Sequence, residues 1–351
     1  MRETRRLAAG VTELVVDTSD GEVSALGYDA LVGTAAVGDR VLLNVTALEL
    51  GLGTGGYAMV VAIPDRLPDD GDDTGHIVKA RYTPLQATVL AADEQDSPHH
   101  AVLRDADSID GMPVVVADLH SAVTPIVAGL RSARADVRVV YVMSDGGALP
   151  VWFSRTVPAL RAAGWLHATV TVGQAFGGDV EAVTLHTGLL AARHVLDADV
   201  AIVTQGPGNL GTGTRWGFSG VASGEAVNAV NALGGRAVAA LRVSEVDDRP
   251  RHRGVSHHSL TALGRVALTP ADIAVPAVDS EFGALVRAAC RPLSARHRLV
   301  DVAVDGLLDA LRDTPAPLSS MGRDLQQDPM YFLAAAAAGK HAATLLKPPG
   351  V

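Results

Sequence analysis

The densest chemistry in the chain lies in one short run, Arg249-Pro250-Arg251-His252-Arg253-Gly254-Val255-Ser256-His257-His258. Three arginines and three histidines in ten residues can neutralise an anion and move protons near neutral pH, since guanidinium stays charged while imidazole titrates there. His257 and His258 are therefore candidate general acid–base residues, and Arg251 and Arg253 candidate ligands for an anion. The plainer alternative is a solvated basic loop balanced by Asp247 and Asp248.

A second signal is Gly206-Pro207-Gly208-Asn209-Leu210-Gly211-Thr212-Gly213-Thr214, a G-x-G-x-x-G run directly after a strand-like segment. Glycines there let backbone approach an anion closely, with N–H groups and hydroxyls as donors. Gly206, Gly208, Gly211, Thr212, Gly213 and Thr214 are the expected ligand-binding residues. Pro207 removes one donor and no P-loop lysine is present, so an anion cradle is expected rather than a nucleotide fingerprint. The tetrapeptide Leu-Gly-Thr-Gly recurs within Gly51–Gly56; a hairpin turn or chance accounts for it in a chain with 36 glycines, a second wall over the site being the alternative.

A third group is dispersed. His99-His100 follows Asp93, Glu94 and Asp96, and together with Asp118, His120, Asp145, His257 and His258 supplies enough donors for a mononuclear or binuclear metal site. Spacing does not fix one: there is no H-E-x-x-H, and the adjacent pairs lack a helical i, i+4 relation. Asp145 and His120 are expected to orient substrate or metal; which metal or cofactor, if any, stays open. No G-x-S-x-G is present, and Cys290, the single cysteine, reads as a buried structural residue.

The elements that must position these residues follow from hydrophobic pattern. Over 7–63 the chain gives short strands and turns: Thr12–Asp17, the turn Ser19-Asp20-Gly21, a second apolar stretch, Arg40–Leu43, and 57–63 ended by Pro64. A small β-barrel or β-sandwich is the expected form. An acidic, breaker-rich loop over 65–75 follows. The expected domains are a β-rich 1–92 and a Rossmann-like α/β domain over 93–351 with a helical tail.

From Ser97 onward strand-like and helix-like runs alternate. Strands are predicted at 113–117, 137–143, 168–172, 199–204 and 236–243, each without clean alternation, as in strands buried on both faces. Helices are predicted at 179–195 behind an Asp179 cap, at 219–233, and through most of 280–346, with Ala334–Ala338 as a close packing face. This βα alternation predicts a parallel sheet with helices on both faces. Asp118, His120, Asp145, the glycine run and the Arg/His run each follow a predicted strand, so all fall on the carboxyl edge where such sheets bind ligands.

Composition narrows the partners. Net charge is −10, only three lysines are present, and aromatics are 4%, which leaves no basic face or stacking platform for nucleic acid. The apolar run Phe332–Ala338 is far shorter than the ~20 residues of a membrane span. Glu13 and Asp17 follow Arg5-Arg6 too early for a signal-peptide core, so a cytoplasmic location is expected. The expected partner is a small anionic metabolite, with self-association left open.

At Gly51–Tyr57, Glu94–His100, Gly206–Gly220, Arg251–Leu263 and Met321-Gly322-Arg323 the sequence resembles a bacterial family known as domain of unknown function 3866. The resemblance runs over nearly the whole chain and implies one functional unit, with no activity to carry over. Ala175-Phe176-Gly177-Gly178-Asp179 and the helix and strand after it are similar to the substrate-binding component of glycine and betaine reductases. Those enzymes use reactive cysteine or selenocysteine, and no cysteine stands in this region. Three readings therefore stand: an enzyme acting on a small anionic metabolite, phosphorylated or not; a non-catalytic metabolite-binding or regulatory module; and a metal-dependent hydrolase using the His/Asp cluster.

Overall fold

A computed structural model describes residues 1–8, 10–68 and 75–347; most of the acidic loop expected over 65–75 lies outside the described residues. The chain divides into two compact units, Met1–Leu90 with Trp152–Arg155, and Ala91–Val151 with Thr156–Val351.

The first unit is β-rich. β1 (Glu3–Ala8), β2 (Val11–Thr18), β3 (Gly21–Tyr28), β4 (Leu42–Asn44) and β5 (Ala58–Ala62) form one sheet in the order β1-β2-β3-β5-β4. The Ser19-Asp20-Gly21 turn sets the β2–β3 hairpin, pairing Thr18 with Gly21. Leu14, Val16, Ala25, Ala58, Val60 and Ile63 make the buried core. The segment Trp152–Arg155 joins this unit through chemistry: Arg155 Nη2 donates to Tyr57 Oη (2.7 Å), which donates to Glu13 Oε1 (2.5 Å). β6 (Ile77–Lys79) and β7 (Ala87–Val89) form a separate antiparallel hairpin.

The second unit holds an eight-stranded, wholly parallel sheet. In chain order its strands are β8 (Pro113–Val116), β9 (Val139–Ser144), β10 (Ala168–Thr171), β11 (Val180–Glu181), β12 (Val200–Gln205), β13 (Arg236–Ala240), β16 (Asp272–Ala277) and β17 (Arg298–Ala303); the short pair β14 (Val243–Ser244) and β15 (Gly254–Val255) lies outside it. The order is β11-β10-β9-β12-β8-β13-β16-β17. Every residue of β8, β10 and β12 is buried, which is why β8 and the start of β12 run apolar without alternation. β10 alternates instead, its Thr169 and Thr171 hydroxyls bonded to Asp179 and Glu181. Helices flank the sheet: Leu185–His194 packs with Ala222–Ala232, and Val123–Ala133 with Pro329–Thr344. Chain direction reverses around β8. The path leaves it for β9 and β10, returns through β12, and crosses to β13, so β8 and β12 lie at the topological switch point where open parallel sheets leave a crevice.

Two expectations change here. The tail over 280–346 is not continuously helical: it contributes β17, and β16 just before it was not foreseen either. The exposure of β17 alternates at its inner end, and three of its six residues are exposed, so an edge strand presents no continuous apolar run. Asp179 does not cap the helix that follows. Its Oδ2 accepts from Thr169 N (2.7 Å) and Oγ1 (2.9 Å), tying the loop to β10, and Thr184 caps Leu185–His194 instead by accepting from Thr187 N.

The tightest joint is between helices Val123–Ala133 and Pro329–Thr344. Ala334–Ala338 are buried to 1% exposure or less, and the two backbones meet at glycines: a Cβ on Gly129 would overlap the Ala336 carbonyl, and one on Gly339 the Ile126 carbonyl. Rigid backbone stands on both sides, so neither can yield. Gly129→Ala is therefore expected to lower stability by about 2–3 kcal/mol, even after gaining about 1 kcal/mol in helix propensity. Urea unfolding reads this directly, and an unchanged midpoint would mean that the helices do not meet there.

Candidate functional site

At the carboxyl edge of β8, β9, β10 and β12 lies a cavity of about 320 Å³. Its wall takes Asp118 from the loop after β8, Asp145 and Gly146 after β9, Gly173 after β10, Gln205 at the end of β12, and Thr184, His186, Ser219 and Glu225 from the starts of two helices. The helix N-termini of Leu185–His194 and Ala222–Ala232 thus face the cavity with their partial positive charge. Three carboxylates, Asp118, Asp145 and Glu225, stand in the same wall, with no arginine or lysine among the lining residues.

Asp118 is the most constrained of them. It is 7% exposed, and its backbone oxygen accepts from Gln205 Nε2 (2.9 Å). Its Oδ2 lies 3.9 Å from Arg242 Nη1 and 3.7 Å from His258 Nδ1, without a hydrogen-bond partner. Arg242, 4% exposed, also approaches His258 Nδ1 at 3.3 Å. Asp145 is exposed and accepts from Gln174 N through Oδ2 (2.8 Å), which holds it across the mouth from β9 to the loop after β10.

The Arg/His run folds as a short turn, β15 and a helix, His257–Thr261, capped by Ser256, whose Oγ accepts from His258 N (3.2 Å). This brings His252, His257 and His258 together, each offering one ring nitrogen within 4.8 Å of the others. His258 stacks on Phe218 at 3.7 Å between centroids. His252 Nδ1 bonds to Ser256 Oγ (2.8 Å), while His257 Nε2 is buried with no partner. Burial, then the nearby Arg242 and Arg249, pushes His252 down to about 3, and burial followed by the charge of His258 lowers His257. His252 was not singled out by sequence, although it sits in the same run.

Arg249 belongs to a different structure. It pairs with Asp247 (Nη2–Oδ2 2.8 Å), and Arg323 reaches the same carboxylate (3.0 Å) and Asp328 (3.1 Å). Those bonds, Arg249 first, hold Asp247 well below the usual carboxylate range. Arg251 and Arg253 are exposed, and Arg251 Nη2 lies 3.8 Å from where a Cβ on Gly213 would stand.

The glycine run divides by position. Gly206 donates its N–H to Ser144 O (3.1 Å), and a Cβ there would overlap Ala148 O, as one on Gly147 would overlap Gly206 O. Gly206 therefore serves loop-to-loop contact. Thr212 N donates to Gly217 O and Thr212 Oγ1 contacts Thr214 Oγ1 (3.1 Å), closing the outer turn on itself. Gly208, Gly211 and Gly213 lie in the exposed part, with Gly213 beside Arg251.

His99 and His100 are not brought to this edge's histidine cluster: His100 Nδ1 bonds the Asp93 carbonyl at 2.8 Å. His120 does not line the cavity. It is buried, with Nδ1 2.9 Å from Tyr141 Oη.

A family model described as protein of unknown function (DUF3866) matches residues 24–339. The chain belongs to that family. Neither a curated protein nor a solved structure matches it. The DUF3866 match spans both units and includes every residue of the cavity wall and the histidine cluster. Among the described residues no helix is long and apolar enough to cross a membrane.

Burial pushes His120 down to about 4. Its folded value lies below the ~6.5 of an unfolded histidine, so its contribution to stability is full above about pH 6.5 and declines as pH falls toward about 4. The difference amounts to about 3 kcal/mol. His120→Gln is expected to flatten that part of the stability–pH curve, as read by denaturant midpoints at intervals from pH 7 to pH 4. Parallel wild-type and variant curves would show that His120 is free to protonate in the folded protein.

Proposed function

We propose that this chain is an enzyme acting on a small metabolite at the carboxyl edge of the eight-stranded sheet. The observation that carries the reading is the cavity at the switch point, in which a desolvated carboxylate, Asp118, and a backbone-anchored one, Asp145, share a wall with two helix starts. Carboxylates held this way can take and return a proton from a bound hydroxyl or amine.

Charge decides which end of the substrate goes where. Three carboxylates line the wall and only Asp118 faces a cation, Arg242 at 3.9 Å, so hydroxyl or amino groups suit it better than an anion. The anionic group expected from the sequence is better served outside, where exposed Arg251 lies against Gly213 and guanidinium can take a phosphate or carboxylate. A metabolite with an anionic end at Arg251 and a hydroxyl-bearing end in the cavity meets both demands. His257 and His258, expected as acid–base groups, are not among the lining residues, and His258 reaches the cavity only through Asp118.

Incubating the full chain with a defined panel of phosphorylated and hydroxylated metabolites, read by mass spectrometry, tests the proposal. One component should be converted, and Asp145→Asn should slow its conversion by ~10²-fold or more with the fold intact, since Asp145 is exposed. Arg251→Ala should raise KM and leave kcat nearly unchanged. A component retained unaltered in native mass spectra, with none converted, would instead make the protein a binding module.

A further inference from the structure

The histidine cluster stands apart from the cavity wall. Its three rings lie 4.4–5.0 Å apart between centroids and offer three nitrogens within 4.8 Å of one another. Neutral imidazoles gain little from facing each other in this way, and the buried His257 Nε2 has no hydrogen-bond partner, which costs about 1–3 kcal/mol if nothing occupies that position.

The geometry points to a mononuclear site for a first-row divalent cation, zinc being the best match, held by His252, His257 and His258. Three features single out the Nε2 atoms as ligands. His252 Nδ1 is taken by Ser256 Oγ at 2.8 Å, and His258 Nδ1 is taken by Arg242 Nη1 at 3.3 Å, with Asp118 Oδ2 at 3.7 Å behind it. His257 presents Nε2 unpaired. A hydroxyl and a carboxylate behind the rings are the outer partners that metal-bound histidines use to fix their tautomer. Three imidazoles suit zinc and leave one position for water or substrate.

Tetrahedral zinc with Zn–N of about 2.0–2.1 Å spaces its ligands about 3.4 Å apart. The present 4.8 Å spread then requires the rings to close by up to about 1.4 Å, which side-chain rotation supplies. Charge around the cluster comes from Arg242, Arg249 and Arg251 on one side and Asp118 and Asp247 on the other. Asp118 carries the balance: Arg242 Nη1 donates to His258 Nδ1 at 3.3 Å, so zinc on Nε2 requires the ring proton to move to Nδ1, where the unpartnered Asp118 Oδ2 replaces Arg242 as its partner. The cation would also polarise what the adjoining cavity holds, Asp118 belonging to both. The assignment does not rest on the enzymatic reading, since zinc bound by a chain that converts nothing keeps the site and removes only the catalysis.

The test uses the full chain, stripped with chelator and titrated with Zn²⁺ by calorimetry. One Zn²⁺ per chain is expected. His252→Gln and His257→Gln should each weaken binding at least ~100-fold, and Asp118→Asn by ~10–100-fold with the stoichiometry kept. Should a variant fail to fold, the wild-type protein answers alone: Co²⁺ should give the intense d–d absorption of a four-coordinate site, and the ring ¹⁵N shifts of these three histidines should move on adding Zn²⁺. No stoichiometric Zn²⁺, His257→Gln binding as tightly as wild type, or unmoved ring shifts would each overturn the assignment.

Discussion

A carboxylate taken out of water must be answered by charge or by hydrogen bonds, and in this protein that requirement falls on Asp118. At 7% exposure it faces Arg242 and His258 at 3.9 and 3.7 Å. Arg242, 4% exposed, would be as costly without it, since a buried ion left alone costs several kcal/mol. One mutual need thus joins the end of β8, the segment after β13 and the helix His257–Thr261. The Asp118 carbonyl adds β12 through Gln205. Cavity wall and histidine cluster adjoin where Asp118, a residue of the wall, faces His258.

The parallel core was legible because its constraint is local. A strand buried on both faces takes a run of apolar residues without regular alternation, and β8, β9, β12 and β13 have one where the sequence predicts a strand. β10 is also found where predicted, its threonines answered by Asp179 and Glu181. The rule weakens at edges. β17 pairs on one side only, and its Arg298 contacts Asp272 of β16 rather than apolar neighbours, so its sequence does not announce a strand. The same reasoning explains β11, two residues long and absorbed into a longer predicted helix. Ala334–Ala338 were legible as a packing face, but the partner was not, because only the fold shows that Gly129 and Gly339 let two backbones touch.

The site was legible in half. Local density marked the run Arg249–His258, and the folded turn does gather its three histidines. What gives them an environment is long-range: Arg242 ends an apolar segment where nothing suggests an ion, and sheet order alone sets β8 beside β13. His99 and His100 were equally dense in sequence but are not gathered with these three, and His100 bonds a backbone carbonyl instead. Within the glycine run, spacing could not distinguish Gly206, whose missing side chain admits the Ala148 carbonyl, from Gly213, which opens toward solvent beside Arg251.

The separation of charge around the site constrains any chemistry there. Acid–base work and metal ligation make opposite demands on an imidazole, since a base must accept a proton in turnover whereas a ligand must keep its lone pair committed. Burial and then the nearby arginines hold His252 at about 3, and burial followed by the charge of His258 lowers His257. Their lone pairs are unprotonated at neutral pH, and the arginine charge that repels a proton also acts on a cation, an effect that Asp118 has to offset. For a general base the same shift is unfavourable, because an imidazole that resists protonation to that extent gives little driving force for taking a proton. On the proposed reading proton transfer falls to the carboxylates of the cavity, and the histidines take the proposed metal. Arg251, exposed and close to Gly213, completes the division by offering the only guanidinium of the run that is both free of the Asp247 pairing and beside the glycine turn.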